Sequence, residues 1–449
     1  MLDVGEAIDN SPVRPLHYGI FTLCALGMIM DGFDVQALGY VAPSIIQEWK
    51  IAPPLLGPVF GASNLGVLVG QLSFTMLADR IGRRPVLIWG TVAFSLLTIL
   101  TARVNNVGEL LAMRFIAGTA LGSIVPNVTA LISEFSPRRV RIQLLTYVGI
   151  GFTAGAALGG FIAAALIPAL GWRAVFYVGG VAPLIVAAMM MAWLPESLRV
   201  LVLRDKKREY VAMWLKRLDP SLPITSTTRF LVKEEHRKGI PVMHLLHEGR
   251  GIATILLWIV YFMNLFNLYS LSNWLPTVVR GAGYSTSTAV LVGTMLQLGG
   301  LISPFLMAWL VLRKGFIPVL AATFLICAGS VALIGRPGLS LPLLVLMVFI
   351  TGACVAGVVP SLNALCATYY PTYLRSTGLG WALGIGRVGS IVGPVMAGQF
   401  MAWKWTPQGI FMALAMPALA SAIVVVGLRP AMGSRSTART PAALSGVID

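Results

Sequence analysis

The sequence predicts an all-α membrane protein with twelve transmembrane helices in two six-helix halves. Of its 449 residues, 57% are hydrophobic and 11% are charged, whereas soluble domains carry about 25% charged residues. Apolar stretches recur along the whole chain, each long enough to cross ~30 Å of hydrocarbon. They lack the alternation of a membrane β-barrel. The twelve segments lie near 17–46, 54–78, 85–103, 108–134, 142–167, 173–194, 251–279, 286–312, 316–335, 341–369, 376–402 and 408–428.

An internal duplication divides these segments into two sets of six. Residues 114–141 realign on 348–375 without a gap and with nine identities. An even number of helices gives both copies the same orientation, and folds of this kind hold their site between the copies near the midplane. The repeat predicts an N-terminal half at 17–194, a linker loop at 195–250 and a C-terminal half at 251–428. A segment 1–16 and a tail 429–449 flank them.

The charge distribution predicts the orientation in the membrane. The net charge is +16, and the basic residues concentrate in alternate loops; the 195–250 loop alone carries twelve Lys/Arg against seven Asp/Glu. Such an excess marks the cytoplasmic side, so we expect both termini and this loop in the cytoplasm, with the helices in the inner (plasma) membrane. The positive charge therefore does not predict nucleic-acid binding. The first apolar segment is too long for a cleavable signal peptide.

Two carboxylates, Asp31 and Asp34, interrupt the first apolar segment. A charge at the bilayer centre costs roughly 2.5–3.5 kcal/mol on insertion scales, so we interpret the pair as binding protons or substrate; helix bracing is the alternative. Their repeat counterparts are Asn264 and Asn267, which predicts proton chemistry in the first half only. Arg114 is expected to pair with one of the two carboxylates and to share in proton coupling.

A single arginine in the eleventh segment, Arg387, is the predicted anion-binding group. It lies twelve residues after Arg375, about 18 Å along a helix and thus near the midplane. Its planar guanidinium binds a carboxylate with two parallel hydrogen bonds; the alternative is that it satisfies backbone carbonyls or a neighbouring helix. The other predicted substrate-binding residues are polar or aromatic side chains of the apolar segments: Asp34, Asn264, Asn267, Tyr269, Gln297 and Trp381.

The loop after the second segment resembles the signature loop of the major facilitator superfamily. The resemblance rests on the stretch from Leu77 to Pro85, although Thr75 stands where the family has its leading glycine. In that family the acidic residue faces the N-terminus of helix 11, which implies a charge–dipole latch that breaks as the halves rock. The second copy has Leu312 at the acidic position. The predicted latch residues are Asp79, Arg80, Gly82, Arg83 and Arg84.

Further motifs resemble the aromatic acid:proton symporter family. They are the helix-1 stretch 31–34, Trp274–Thr277, Tyr370–Gly378 and Gly386–Gly389. The resemblance implies a transporter that imports hydroxybenzoate-, benzoate- or protocatechuate-type carboxylates with protons by alternating access. It implies a protein that is not an enzyme, needs no cofactor or metal, uses the proton gradient and works as a monomer. A sugar or polyol symporter is the alternative; a drug exporter is disfavoured because Ala156 replaces the helix-5 proline of drug antiporters.

Overall fold

A computed structural model describes residues 1–204, 208–225, 228–232, 241–247, 249–371 and 373–437. Within these residues, twelve helical spans are long and apolar enough to cross a membrane. Each coincides with one of the twelve predicted segments to within a few residues, which confirms the predicted fold class. Parts of the predicted loop 195–250, residue 372 and the tail beyond 437 lie outside the described residues.

The chain begins with a short strand, continues through the first repeat and reaches a second short strand in the linker loop. In chain order the elements are β1 (Leu2–Asp3), α1 (Val4–Asp9), α2 (Pro15–Trp49), a 3₁₀ turn (Pro53–Leu56), α3 (Gly57–Ile81), α4 (Arg83–Thr101), α5 (Val107–Leu121), α6 (Ile124–Phe135), α7 (Arg138–Leu170), α8 (Arg173–Trp193), α9 (Leu198–Leu203), α10 (Arg208–Leu218) and β2 (Phe230–Leu231).

The second repeat follows another short helix. Its elements are α11 (Pro241–Leu246), α12 (Gly251–Gly281), α13 (Thr286–Lys314), α14 (Phe316–Ile334), α15 (Leu341–Val355), α16 (Val359–Tyr369), α17 (Arg375–Ala402) and α18 (Pro407–Thr437).

The fourth and tenth spans are each broken at the same repeat position. The fourth consists of α5 and α6 and the tenth of α15 and α16, with Gly122 and Ala356 just after the first piece. Each break precedes a proline, Pro126 or Pro360, by four residues. Because proline has no backbone N–H, the carbonyl four residues earlier loses its helical partner. The matching breaks support the duplication inferred from the sequence.

The chain forms two compact units whose limits differ from the predicted repeat limits. One unit holds residues 1–237 and 272–298, and the other holds 238–271 and 299–449. The segment Ser272–Leu298, which belongs to the second repeat by sequence, therefore packs with the first repeat. The half and loop boundaries drawn from the duplication stay a prediction about the repeat.

Close helix packing in the first unit depends on glycines. In this unit α2 packs along α7, α3 along α5 and α4 along α8. A Cβ built on Gly32 would lie 1.8 Å from the carbonyl oxygen of Phe152, and one on Gly155 would lie 1.9 Å from that of Ile29. Only glycine permits this approach of α2 and α7. It fixes the part of α2 that carries Asp31 and Asp34.

The N-terminal segment packs against the linker loop in the same unit. Strand β1 pairs in parallel with β2, and α1 contacts α9 and α10. Asp9 forms an ion pair with Arg141 at the start of α7. In the second unit, α14 packs against α15 and α18, and α16 packs against α17.

Candidate functional site

A buried ion pair joins the first and fourth spans. Both guanidinium nitrogens of Arg114 donate to the carboxylate of Asp34, at 3.0 Å to Oδ1 and 2.6 Å to Oδ2. The two side chains are 0% and 1% exposed. This two-point geometry is the strong form of a charge-assisted hydrogen bond. The predicted pairing is therefore present, and the carboxylate that pairs with Arg114 is that of Asp34.

Three neighbours complete the surroundings of this pair. The Thr98 hydroxyl lies 3.4 Å from Oδ1 of Asp34, and Arg114 reaches Oγ of Ser63 at 3.4 Å. The guanidinium carbon of Arg114 lies 5.8 Å from the ring centre of Phe176. Five helices thus hold the pair, which makes removal of one charge costly. The sequence reasoning missed Thr98 and Ser63, for which a hydroxyl within an apolar segment is the only signal.

Asp31 lies one helical turn before Asp34 on α2 and is 3% exposed. Residues at i and i+3 share a helix face, so the structure places two buried carboxylates side by side. The guanidinium of Arg114 compensates the charge of Asp34. The same face of α2 therefore carries Asp34, which is paired with Arg114, and next to it a second buried carboxylate, Asp31.

The second unit carries an arginine supported by a phenol. Nη1 of Arg387 on α17 donates to the hydroxyl of Tyr269 on α12 at 3.0 Å. Arg387 is half-buried, and no carboxylate of the described residues lies within 4.0 Å of its guanidinium. The remaining N–H groups of a guanidinium in this state are suited to an anion. The structure thus brings together two of the predicted substrate-binding residues.

The asparagines that replace the two aspartates bind backbone groups. Nδ2 of Asn264 donates to the carbonyl of Val355, at the end of α15, at 3.0 Å. With its amide oxygen and nitrogen exchanged, Asn267 donates to the Leu414 carbonyl at 2.7 Å and accepts from the Ala418 N–H at 3.2 Å. Asn267 therefore bonds to two backbone groups of α18, one on each side of Pro417. Within the described part of the chain, the buried Oδ1 of Asn264 has no hydrogen-bond partner.

The other two predicted binding residues have aromatic or amide neighbours. Trp381 is 44% exposed and stacks on Trp258, with ring centres 5.9 Å apart. Gln297 lies in the other compact unit, where its amide nitrogen donates to Gln36 and to the Ser272 hydroxyl.

The predicted latch residues lie in a charge network at the junction of α3 and α4 in the first unit. Arg83 pairs with Glu134 at 2.9 Å and with Asp79 at 3.9 Å. Oε1 of Glu196 accepts the backbone N–H groups of Arg83 and Arg84 at 2.9 and 3.1 Å. The side chain of Asp79 is 65% exposed, and Arg80 is exposed too.

Gly82 makes this network possible. Its φ of +113° lies where side chains are strained, and a Cβ there would lie 2.4 Å from Oε2 of Glu196. The sequence reasoning named the arginines and the glycine of the loop but missed the acidic partners. Glu134 ends the fourth span and Glu196 belongs to the Pro-Glu-Ser motif after the sixth; that motif was the available signal.

The chain is similar in sequence to known membrane transporters. Residues 24–394 and, overlapping them, 257–447 match the Major Facilitator Superfamily. The chain is 36% identical to the 4-hydroxybenzoate transporter PcaK of Pseudomonas putida, over 95% of each chain. It is 36% identical to a gallate transporter of the same species, over 95% of this chain and 94% of the relative.

Two further comparisons extend the range. The benzoate transport protein of Acinetobacter baylyi is 31% identical over 94% of this chain and 92% of its own length. The crystal structure of a D-xylose–proton symporter superposes with a TM-score of 0.72 at 18% identity, covering 91% of this chain and 97% of that chain. At this identity, the similarity to the D-xylose–proton symporter shows a shared fold.

Proposed function

This chain belongs to the Major Facilitator Superfamily, in the aromatic acid transporter family, and we propose that it imports an aromatic carboxylate together with protons by alternating access. It is a multi-pass membrane transporter and not an enzyme. Beyond membership of this family, the proposal states the direction of transport, the coupling ion and the substrate class. The relatives named for 4-hydroxybenzoate, gallate and benzoate all carry aromatic acids.

The observation that carries the substrate class is the Arg387–Tyr269 pair. A guanidinium held by a phenol at 3.0 Å, with no described carboxylate within 4.0 Å, offers its remaining donors to an anion. A carboxylate fits this fork with two parallel bonds. A sugar or polyol has no charge to match it, so this geometry favours the acid.

Asn264 supplies a reason for preferring hydroxylated rings. Its buried Oδ1 has no hydrogen-bond partner among the residues that the structure describes, and a buried polar atom left without a hydrogen bond costs about 1–3 kcal/mol. A ring hydroxyl that reaches this oxygen would donate the missing bond. We infer that hydroxybenzoate-type acids bind more tightly than benzoate.

Proton coupling is assigned to the first repeat. Arg114 already compensates the charge of Asp34. Because two adjacent buried carboxylates resist ionising together, Asp31 is the group that takes up and releases the proton. Asp34 and Arg114 set the electrostatic surroundings in which it does so. With Asp31 neutral, the first repeat carries less negative charge while an anion is bound.

The orientation follows from the basic loops. The Lys/Arg excess of the 195–250 loop favours the cytoplasmic side of the inner membrane for this loop and both termini. A single cysteine at Pro220, in a chain without the native cysteines, is expected to resist an impermeant thiol reagent added to intact cells. Labelling from outside would refute the orientation.

The decisive test is uptake into proteoliposomes. The purified chain is offered labelled 4-hydroxybenzoate, gallate, benzoate, a hexose and a cationic dye, with and without an inward proton gradient. We expect accumulation of at least one aromatic acid that requires the gradient. Gradient-driven uptake of the hexose alone would replace the proposal by sugar symport, and gradient-independent acid accumulation would remove proton coupling.

A further inference from the structure

A side chain of α12 closes the break in the tenth span. The first piece, α15, ends at Val355 and the second, α16, begins at Val359. In an unbroken helix the N–H of Val359 would donate to the Val355 carbonyl, but here it donates to the Ala356 carbonyl at 3.4 Å. Nδ2 of Asn264 donates to the Val355 carbonyl instead, at 3.0 Å. A side-chain amide thus replaces the missing backbone donor.

The fourth span is broken at the same repeat position. Its first piece, α5, ends at Leu121, and its second piece, α6, begins at Ile124. In the ungapped alignment of residues 114–141 with 348–375, Leu121 corresponds to Val355. Because the last carbonyls of a helix lack the backbone donor of a following turn, the carbonyl of Leu121 needs a donor from elsewhere, as that of Val355 does.

The packing of α2 places Asp31 at this break. A Cβ built on Gly27 would lie 3.9 Å from Cγ2 of Ile124, and further along α2 Asp34 pairs with Arg114. The two contacts show that α2 runs antiparallel to the fourth span. Asp31 lies between them on α2, on the same helix face as Gly27 and Asp34. It therefore faces the stretch of the fourth span between residues 114 and 124, within which α5 ends.

The two repeats thus place corresponding side chains at corresponding breaks. Asp31 is the repeat counterpart of Asn264, and Leu121 is the counterpart of Val355, whose carbonyl Asn264 binds. The amide of an asparagine donates in every state, whereas a carboxyl group donates only when it is protonated. Protonated Asp31 is therefore able to form the bond that Asn264 forms, and ionised Asp31 is not.

One arginine supplies the positive charge near Asp31. In α3 to α8 and in residues 272–298, all of which the structure describes, every charged residue except Arg114 lies at or near an end of its helix. The uncharged titratable groups of these segments are Tyr147, Tyr177 and Tyr284. Arg114 directs two bonds to Asp34, so its charge is compensated there. The neighbouring Asp31 is the carboxyl group left to take up a proton.

We propose that the break in the fourth span is a proton-sensitive switch: protonated Asp31 donates its O–H to the carbonyl of Leu121, and loss of the proton removes this bond. The inference rests on the proposed function, which assigns the coupled proton to Asp31, and adds the group that accepts its hydrogen bond. An ionised carboxylate and a carbonyl oxygen are both acceptors and repel each other. Release of the proton therefore frees α5 and α6 to change their angle at the break.

Infrared difference spectra of the purified chain between acid and alkaline pH test this bond without substrate. The band of a protonated carboxyl group that is present in the parent and absent in Asp31→Asn belongs to Asp31. Pro126→Ala supplies the backbone N–H that proline lacks, so the fourth span can continue as one helix and its carbonyls regain backbone donors. We expect the Asp31 band to shift to higher frequency in Pro126→Ala, because the carboxyl group loses its acceptor. In the control Pro168→Ala, which removes a proline of α7, the band should not move.

A pair of substitutions at one site tests the same bond by stability. Asp31→Asn and Asp31→Leu are both neutral and similar in size, but only the amide donates to a carbonyl. We expect Asp31→Leu to unfold about two- to tenfold faster than Asp31→Asn at a fixed temperature in detergent, the factor that one lost hydrogen bond produces. Asn264→Leu removes the corresponding bond that the structure shows, and its unfolding relative to the parent calibrates the effect.

The two measurements decide the proposal separately from transport. An Asp31 band at the parental frequency in Pro126→Ala overturns the switch; if Pro126→Ala does not accumulate, equal unfolding rates of Asp31→Asn and Asp31→Leu overturn it. The absence of any Asp31 band in the parent overturns the assignment of the proton to Asp31 and the switch with it. A band that shifts as expected, in a chain that takes up no aromatic acid, supports the switch and overturns the proposed substrate instead.

Discussion

The two repeats share a helix pattern but hold their polar groups in different ways. In the first, Asp34 is paired with Arg114 at 2.6 Å in full burial. In the second, Asn264 and Asn267 bond to backbone carbonyls, and the arginine, Arg387, is held by a phenol. The two repeats therefore have the same helix pattern but different chemistry. The first repeat holds a carboxylate whose charge an arginine compensates, and the second holds an arginine that is available to an anion.

Removing Arg114 should have the largest effect. Arg114→Met leaves the carboxylate of Asp34 buried without a cation, which costs about 3–5 kcal/mol. The second repeat has Val348 at this position. We expect little folded protein and early thermal unfolding in detergent, measured by size-exclusion chromatography after heating. Adding Asp34→Asn should restore part of the stability, and a single variant as stable as the parent would contradict the pairing.

Asp31→Asn makes the first repeat resemble the second at its proposed proton site. Accumulation driven by a pH gradient should be lost, while exchange of labelled for unlabelled substrate persists because exchange needs no net proton. Both are measured in the same proteoliposomes. Asn264→Leu, the counterpart change, should keep gradient-driven accumulation. If Asp31→Asn still concentrates substrate under a pH gradient alone, another group couples the proton.

Arg387→Lys keeps the charge of the second repeat's cation but loses its fork. Because a hydrogen bond to a charged group contributes roughly 1.5–3 kcal/mol, the apparent KM for the best carboxylate should rise roughly tenfold or more. Tyr269→Phe removes only the supporting hydroxyl, so a few-fold rise is expected. Equal KM values for Arg387→Lys and the parent would give Arg387 a structural role.

Asp79→Asn compares the two copies of the signature loop. We expect a several-fold lower transport rate with normal protein level and KM, because the family latch acts in only one conformational state. Leu312, its counterpart, is exposed, and Leu312→Asn is the control that should transport like the parent. A parental rate in Asp79→Asn would show that the family latch does not operate here.

The smallest effect is expected for ring selectivity. Asn264→Leu removes the unpartnered acceptor, so the ratio of KM values for benzoate and 4-hydroxybenzoate should narrow about two- to tenfold. A ratio cancels changes common to both substrates. An unchanged ratio would place the ring hydroxyl elsewhere.

Much of this comparison was accessible from sequence. The twelve spans, the duplication and the loss of charge at Asn264 and Asn267 were predicted from composition and alignment, and Arg114 was expected to meet one of the aspartates. The choice of Asp34 was not predictable, because its neighbours on α2 and its distance from Arg114 depend on how five helices pack. Glu134 and Glu196 were missed for the same reason, although both lie in recognisable positions.

Gln297 shows the limit most clearly. As a polar residue in an apolar span it is predicted to bind substrate. The structure gives it two partners, Gln36 and Ser272, which lie 261 and 25 residues away. A lone polar residue reports that some partner is needed, but not which one.

The sequence alone determined where helices cross the membrane, which loops are basic and which buried positions are charged, because burial in hydrocarbon selects residues by composition and local period. Only the tertiary structure decided that Asp34 meets Arg114 across 80 residues and Gln36 meets Ser272 across 236. Hydrogen bonds form only at contact distance, and which helices come into contact is set by packing. Here glycines, which have no side chain, let the helix backbones approach closely.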